Sequence, residues 1–335
     1  MTIKDIAREC GCAVGTVSRV LNNHPDVSDK TREKVMAVVE RYGFVVNANA
    51  KQLKSQERKN LAIIVKGTSS TLLNGLLERI QRKLESLSYS ADVIVLDEND
   101  NEGISATKVY FSLKPLGIIF LGGSPDRLGG EFGKVHVPSI LISSSASSLE
   151  SGYVSSLSTD NLKAAYSSAK YLLKNGHTKI AVIGGTLDSE LSRVRYDGFM
   201  KALKGAKVPF DFDSSYEVSK YSFEGGFSAA ESLMKKNPGI TAIFTMSDAM
   251  AIGAIRKLRD MGMKVPEDIS VIGFDGISLG EYMIPRLTTI RQMEDRLADE
   301  GLEILLDCIE NKSSPSHRLI PFELVEGESV ADITA

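Results

Sequence analysis

The residues with the clearest recognition chemistry near the start of this chain are Thr16, Ser18, Arg19 and Asn22. A helix from about Ala13 to Asn22 sets Gly15, Ser18, Arg19 and Asn22 on one side and the apolar Val17, Val20 and Leu21 on the other. Thr and Ser hydroxyls and an Asn amide hydrogen-bond to phosphate oxygens, and the planar fork of an arginine matches O6 and N7 of guanine. A polar face of this kind also suits a helix that is merely solvated, so the four residues alone leave both readings open.

Other chemistries lack their constellations. Asp248 and Asp275 could each act as an acid or a base, yet no nucleophile–base pair, glycine phosphate loop or metal cluster accompanies them, and no enzyme is expected. An Asp at such positions commonly caps the helix that follows. His24, His136, His177 and His317 stand singly, which rules out zinc spacings. Of the three cysteines, Cys10 and Cys12 sit too close on a tight turn for a comfortable disulfide, with Cys308 left over. Neither a metal nor a cofactor is expected.

The elements that must hold the polar face are short helices. Thr2 and Asp5 open the first, in which Ile6, Ala7 and Cys10 share a face. Gly11 and Cys12 make a tight turn into the second. After His24-Pro25-Asp26, Ser28 is placed to cap a third helix with Val35, Val38, Val39 and Tyr42 at apolar spacing. Three helices joined in this way make a helix-turn-helix module. Charge agrees: residues 1–58 hold ten Lys/Arg against seven Asp/Glu, net +3, and the rest hold 30 against 36, net −6, summing to the −3 of the whole chain. The basic excess is confined to one end.

Residues 2–7 (TIKDIA), 16–22 (TVSRVLN) and 28–35 (SDKTREKV) resemble, in order and spacing, the DNA-binding heads of the LacI family of bacterial transcription regulators. The resemblance implies that Arg19 reads a base, that Val14 and Gly15 occupy specificity positions, and that Thr2, Thr16, Ser18, Asn22, Ser28 and Thr31 meet phosphates. The chain departs from the family pattern at Ala13, where a serine usually caps the recognition helix, a loss of about 1 kcal/mol. Gly15 costs roughly another 1 kcal/mol inside a helix and offers no side chain to a base. Phe44 and Val46 replace the usual Tyr and Pro.

Asn47 is a good N-cap for Ala48–Leu53, a stretch too short to be a stable helix alone. By resemblance this is the family's hinge, which folds on DNA and wedges a leucine into the minor groove. Leu53 matches that leucine and Ala50 and Lys51 its neighbours, and apolar wedges of this type kink DNA.

From Leu61 onward apolar runs alternate with amphipathic helices: 61–65, 91–96, 117–121, 139–142, 179–184, 242–246 and 269–274. Such alternation predicts an α/β fold of parallel sheets covered on both faces, in two halves that meet near Ser158–Asn161, with ligands outside the C-terminal strand ends. The serine-rich stretch 143–158 reads as a polar surface loop. No apolar run approaches a membrane span, and MTIKDIAREC has no apolar export segment, so a cytoplasmic protein without membrane contact is expected.

The segments 176–185, 193–203, 247–254, 266–276 and 285–292 also resemble the family's periplasmic-binding-protein-like core. The implied organisation is a head at 1–44, a hinge at 45–58, a first lobe from 59–158 and 290–319, and a second lobe from 159–289 and 320–331. The implied effector residues are Arg195, Ser247 with Asp248 beside it, and Asp275, with Ser70, Leu72, Leu73 and Ser143 on the first lobe. An Arg fork facing an Asp acceptor suits vicinal hydroxyls of a sugar, or a carboxylate plus a hydroxyl. Leucines at 72 and 73, where the family has aromatic rings, weaken stacking on a pyranose. The expected protein is thus a regulator, most simply a repressor, binding a pseudo-palindromic operator as a homodimer under small-molecule control. Control by a corepressor or a protein partner is the alternative. No leucine heptad follows Glu328, so a dimer rather than a tetramer is expected.

Overall fold

The computed structural model describes residues 2–21, 24, 26–42, 59–67, 70–97, 100–149 and 151–334. The expected hinge residues Asn47, Ala50, Lys51 and Leu53, and the expected DNA contact Asn22, lie outside the described residues. The chain divides into two units, Met1–Arg58 and Lys59–Ala335.

The head unit contains α1 (Ile3–Glu9), α2 (Val14–Leu21) and α3 (Asp29–Arg41). Thr2 and Asp5 form a capping box, the Asp5 carboxylate accepting from the Thr2 N–H at 2.9 Å. Gly11 has φ +59°, and the N–H of Cys12 returns to the carbonyl of Ala7 at 2.9 Å. A glycine adopts that left-handed backbone without strain, which makes the tight turn possible. The α2 helix starts with the Ala13 carbonyl accepting from Thr16 and Val17. Ile6, Ala7, Cys10, Val17, Val20, Val35 and Val38 are buried together as the core of this unit.

Two sequence expectations are corrected here. Ser28 stands at the N-cap of α3, but its hydroxyl makes no cap bond; it pairs at 2.9 Å with the Thr31 hydroxyl, which competes for it. Tyr42 is 47% exposed instead of facing the core, because at the helix end its phenol reaches out and donates to Glu9 at 3.2 Å.

The larger unit holds two six-stranded sheets. The strands are β1 (Asn60–Lys66), β2 (Ser90–Leu96), β3 (Ile118–Leu121), β4 (Ser139–Ile142), β5 (Val154–Thr159), β6 (Ile180–Gly184), β7 (Tyr216–Val218), β8 (Ala242–Thr245), β9 (Ser270–Asp275), β10 (Thr288–Gln292), β11 (His317–Ile320) and β12 (Phe322–Val325). The covering helices are α4 (Thr71–Ser86), α5 (Glu102–Leu113), α6 (Asn161–Lys174), α7 (Glu190–Gly205), α8 (Phe223–Lys236), α9 (Asp248–Asp260) and α10 (Glu294–Glu310). The first sheet, in the order β11-β5-β4-β3-β1-β2, is parallel throughout. The second runs β12-β10-β9-β8-β6-β7, with β12 antiparallel to β10. Continuous apolar strands follow from burial on both faces: β1, β3, β6, β8 and β9 are buried over their central residues.

The chain crosses between the lobes after β5, after β10 and after β11. This moves three expected boundaries: β10 pairs with β9 and β12 in the second sheet, so residues 290–292 belong to the second lobe and the crossing follows Gln292, while Thr159 and Ile320, paired with each other in the first sheet, belong to the first lobe. The serine-rich stretch is corrected more deeply. Residues 154–159 are a fully buried strand between β4 and β11. Serine enters a core when its hydroxyl is paired, as here by Ser156 with the His317 ring at 2.9 Å and by Ser155 accepting from Ser316 N–H at 3.2 Å.

Close helix contact fixes α9. A Cβ on Gly253 would lie 1.9 Å from the Phe223 carbonyl and one on Gly226 2.0 Å from that of Met250, so α8 and α9 touch backbone to backbone only because both residues lack side chains.

Candidate functional site

On the head, the exposed side of α2 carries Val14, Gly15 and Arg19, with Thr16 and Ser18 half-buried beside them. Arg19 holds its guanidinium 3.4 Å from Asp26, whose other carboxylate oxygen lies 2.9 Å from the His24 ring. Asp26 was not singled out from sequence; it sits in the turn after α2, and only the fold returns that turn to Arg19. Thr2 and the Ser28–Thr31 pair lie at the N-termini of α1 and α3. Helix N-termini present partly positive N–H groups, which suits phosphate.

In the larger unit a cavity of about 460 Å³ opens at the C-terminal strand ends, between the two sheets. Seven of the eight expected effector residues line it: Ser70, Leu72, Leu73 and Ser143 from the first lobe, and Arg195, Ser247 and Asp275 from the second. Ser70 and Ser247 also cap their helices, accepting from the N–H groups of Leu73 and Met250. Ser143 is held at φ +76°, a strained conformation for a residue other than glycine, where the chain leaves β4 for the cavity wall.

Asp248 is the exception. It is fully buried and its carboxylate accepts from the N–H groups of Gly276 and Ile277 at 2.7 and 2.8 Å and from the Thr289 hydroxyl at 2.5 Å. All of these partners are protein groups, so Asp248 clamps the turn after β9 instead of facing the cavity. Burial raises its pKa to about 6 against the pull of those hydrogen bonds.

Arg195 is 2% exposed. Its Nε donates to Asn161 at 2.9 Å, a second nitrogen donates to the Met246 carbonyl, and the guanidinium lies over the Phe274 ring at 3.7 Å from its centroid. The third nitrogen stands 4.0 Å from Asp275, an ion-pair distance too long for a hydrogen bond. Burial pushes the arginine pKa down, though a guanidinium stays charged in proteins. Burial, with Asp248 nearby, lifts Asp275 to about 7 despite the Arg195 charge. The pair offers donors and an acceptor side by side, enough to hold two neighbouring hydroxyls.

Residues missed from sequence complete the wall. Tyr221 bonds through its hydroxyl to Ser192 at 3.0 Å. Lys66 pairs with the buried Glu102 at 2.7 Å, and Glu102 also accepts from the Ser124 N–H. Arg193 of α7 meets Asp126, which follows β3, at 3.2 Å, joining the two lobes. Lys66 was hidden at the end of an apolar strand run, where nothing in the pattern distinguishes a cavity lysine from an edge lysine. Among the described residues, no cluster suits a metal ion and no helix is long and apolar enough to cross a membrane.

A helix-turn-helix head followed by a two-lobed core with a polar cleft defines a ligand-responsive DNA-binding regulator. Residues 2–47 match the model of bacterial regulatory proteins of the lacI family, and residues 169–330 match the periplasmic binding protein-like domain. The HTH-type transcriptional regulator MalR of Clostridium butyricum is 34% identical over 99% of this chain and 100% of its own length. Among solved structures, the lac repressor dimer bound to operator and the anti-inducer ONPF superposes with a TM-score of 0.75 at 25% identity, covering 99% of each chain. The regulator CelR in complex with cellobiose does so at 0.73 and 24%, covering 98% of this chain and 99% of its own. The chain belongs to the lacI family of bacterial regulatory proteins.

Proposed function

We propose that this regulator represses transcription as a homodimer on a pseudo-palindromic operator and that a sugar or sugar derivative in the cleft sets its operator affinity. The observation that carries the reading is the buried Arg195 standing 4.0 Å from Asp275 at the cavity wall, a desolvated donor–acceptor pair not closed into a hydrogen bond of its own and placed side by side to meet ligand hydroxyls. Arg19 reads a base; Thr2, Thr16, Ser18, Asn22, Ser28 and Thr31 meet phosphates; Val14 and Gly15 face the groove; and Asn47, Ala50, Lys51 and Leu53 form the hinge that enters the minor groove. Dimerisation covers apolar side chains that a monomer leaves to water, such as Phe111, Tyr282 and Ile284 at 61%, 83% and 82% exposure. The protein acts by binding and has no catalytic role.

The test is operator selection with the full chain, followed by gel shifts with a panel of sugars and sugar acids. A two-fold symmetric site released by one of the panel supports induction. Tighter binding with ligand supports a corepressor instead, and a selected site without two-fold symmetry sinks the dimer reading.

A further inference from the structure

The charge and the unpaired groups of the cleft point to a narrower ligand class, an inference that rests on reading the cavity as the effector site. Among the described residues four cationic side chains line it, Lys66, Arg127, Arg195 and Lys220, against the single acid Asp275. Tyr221 is the one aromatic side chain on the wall among the described residues, which leaves little surface for stacking a sugar ring. The first turns of α4 and α7 border the cavity through Ser70 and Ser189, and Ser189 makes no side-chain cap bond. The N–H groups there favour negative charge.

The second observation is independent of charge. The hydroxyls of Ser124 and Ser144 are buried with no hydrogen-bond partner, and both residues line the cavity; Ser144 is 4% exposed. A buried hydroxyl without a partner is costly, so such groups are ordinarily satisfied by something bound. Lys66, Ser124 and Ser144 lie at or just beyond the C-terminal ends of the adjacent strands β1, β3 and β4. Glu102 holds two of the three in place, with one oxygen 2.7 Å from the Lys66 ammonium and the other 2.6 Å from the Ser124 N–H. Glu102 does not line the cavity, and the ammonium keeps further N–H donors for a ligand.

We propose that Lys66, Ser124 and Ser144 form an oxyanion subsite in the first-lobe wall, and that the effector is a polyol carrying a phosphate or carboxylate group bound there. Its hydroxyls extend to Arg195 and Asp275 on the opposite lobe. One molecule then touches both lobes with charge at one end and hydroxyls at the other.

Isothermal titration of the full chain with orthophosphate, glucose 6-phosphate, gluconate and glucose tests this, alongside Ser124→Ala/Ser144→Ala and Lys66→Met. The serine variant removes no hydrogen bond and is expected to fold normally. Orthophosphate or gluconate should bind the natural protein with millimolar affinity and bind the serine variant about tenfold more weakly. Phosphate binding without gluconate binding assigns a phosphorylated effector, and the reverse assigns a sugar acid. The proposal is overturned if neither anion binds at up to about 50 mM, or if both bind the serine variant as well as the natural protein. Gel shifts on the same preparations separate the two readings. Operator binding without anion binding removes the subsite alone, whereas failure to bind any operator removes the function on which it rests.

Discussion

The Gln292 amide donates to the Asp275 carboxylate at 2.8 Å while its carbonyl accepts from the Thr159 hydroxyl, also at 2.8 Å. Asp275 lines the cavity between the lobes, whereas Thr159 and Gln292 end two of the three strands from which the chain crosses between lobes. Arg195 is tied to the same region through Asn161. A ligand that engages Arg195 and Asp275 therefore acts on side chains bonded directly to the crossings, and a small displacement in the cavity reaches the strand ends where the chain changes lobe through two hydrogen bonds.

Gln292→Ala should cost about 2–4 kcal/mol of core stability, since it strands a buried carboxylate and a buried hydroxyl. Operator affinity without ligand should change little, while the ligand response should weaken. Urea denaturation and operator titration read the two effects, and a cost below about 0.5 kcal/mol would show the link to be incidental.

Acidity should stabilise the core. Asp248 and Asp275 have pKa values raised by burial to about 6 and about 7, above the value near 3.8 expected when unfolded, so between these limits the folded state holds more protons. The stabilisation is complete below about pH 4 and is lost as pH rises through about 7. Thermal unfolding between pH 5 and pH 8 should show a falling Tm, with a shallower fall in Asp275→Asn; a rise over that interval would contradict the assignment.

Arg19→Ala should weaken operator binding by about 1–3 kcal/mol and relax discrimination at one base pair in each half-site. Equal weakening on every sequence would make Arg19 a phosphate contact. Asp26→Asn frees the guanidinium from its carboxylate 3.4 Å away, and because the pair is exposed its effect on head stability should stay within about 0.5 kcal/mol.

Gly15→Ala should stabilise the head by up to about 1 kcal/mol. A Cβ there meets no atom within 4 Å, and the backbone is already helical. Amide hydrogen exchange of α2 in the full chain reads the gain. Faster exchange in the variant would show that the glycine relieves a clash.

The sequence alone was enough for the elements whose pattern is local. Helical spacing located the three head helices and their buried face, and continuous apolar runs located β1, β2, β3, β4, β6, β8 and β9. It also named seven side chains that the fold gathers from both lobes around one cavity. Tertiary structure decided whatever depends on distant partners. Residues 154–159 read as polar because a serine's burial is set by the hydrogen bonds that reach it, here from His317 and Ser316. Asp248 and Asp275 look alike in sequence, yet one is consumed by a turn and the other lines the cavity, because the direction of each carboxylate follows from backbone around β9. The cavity's positive charge was invisible for the same reason: Lys66, Arg127, Arg195 and Lys220 are far apart in the chain, and only the meeting of two sheets makes them neighbours.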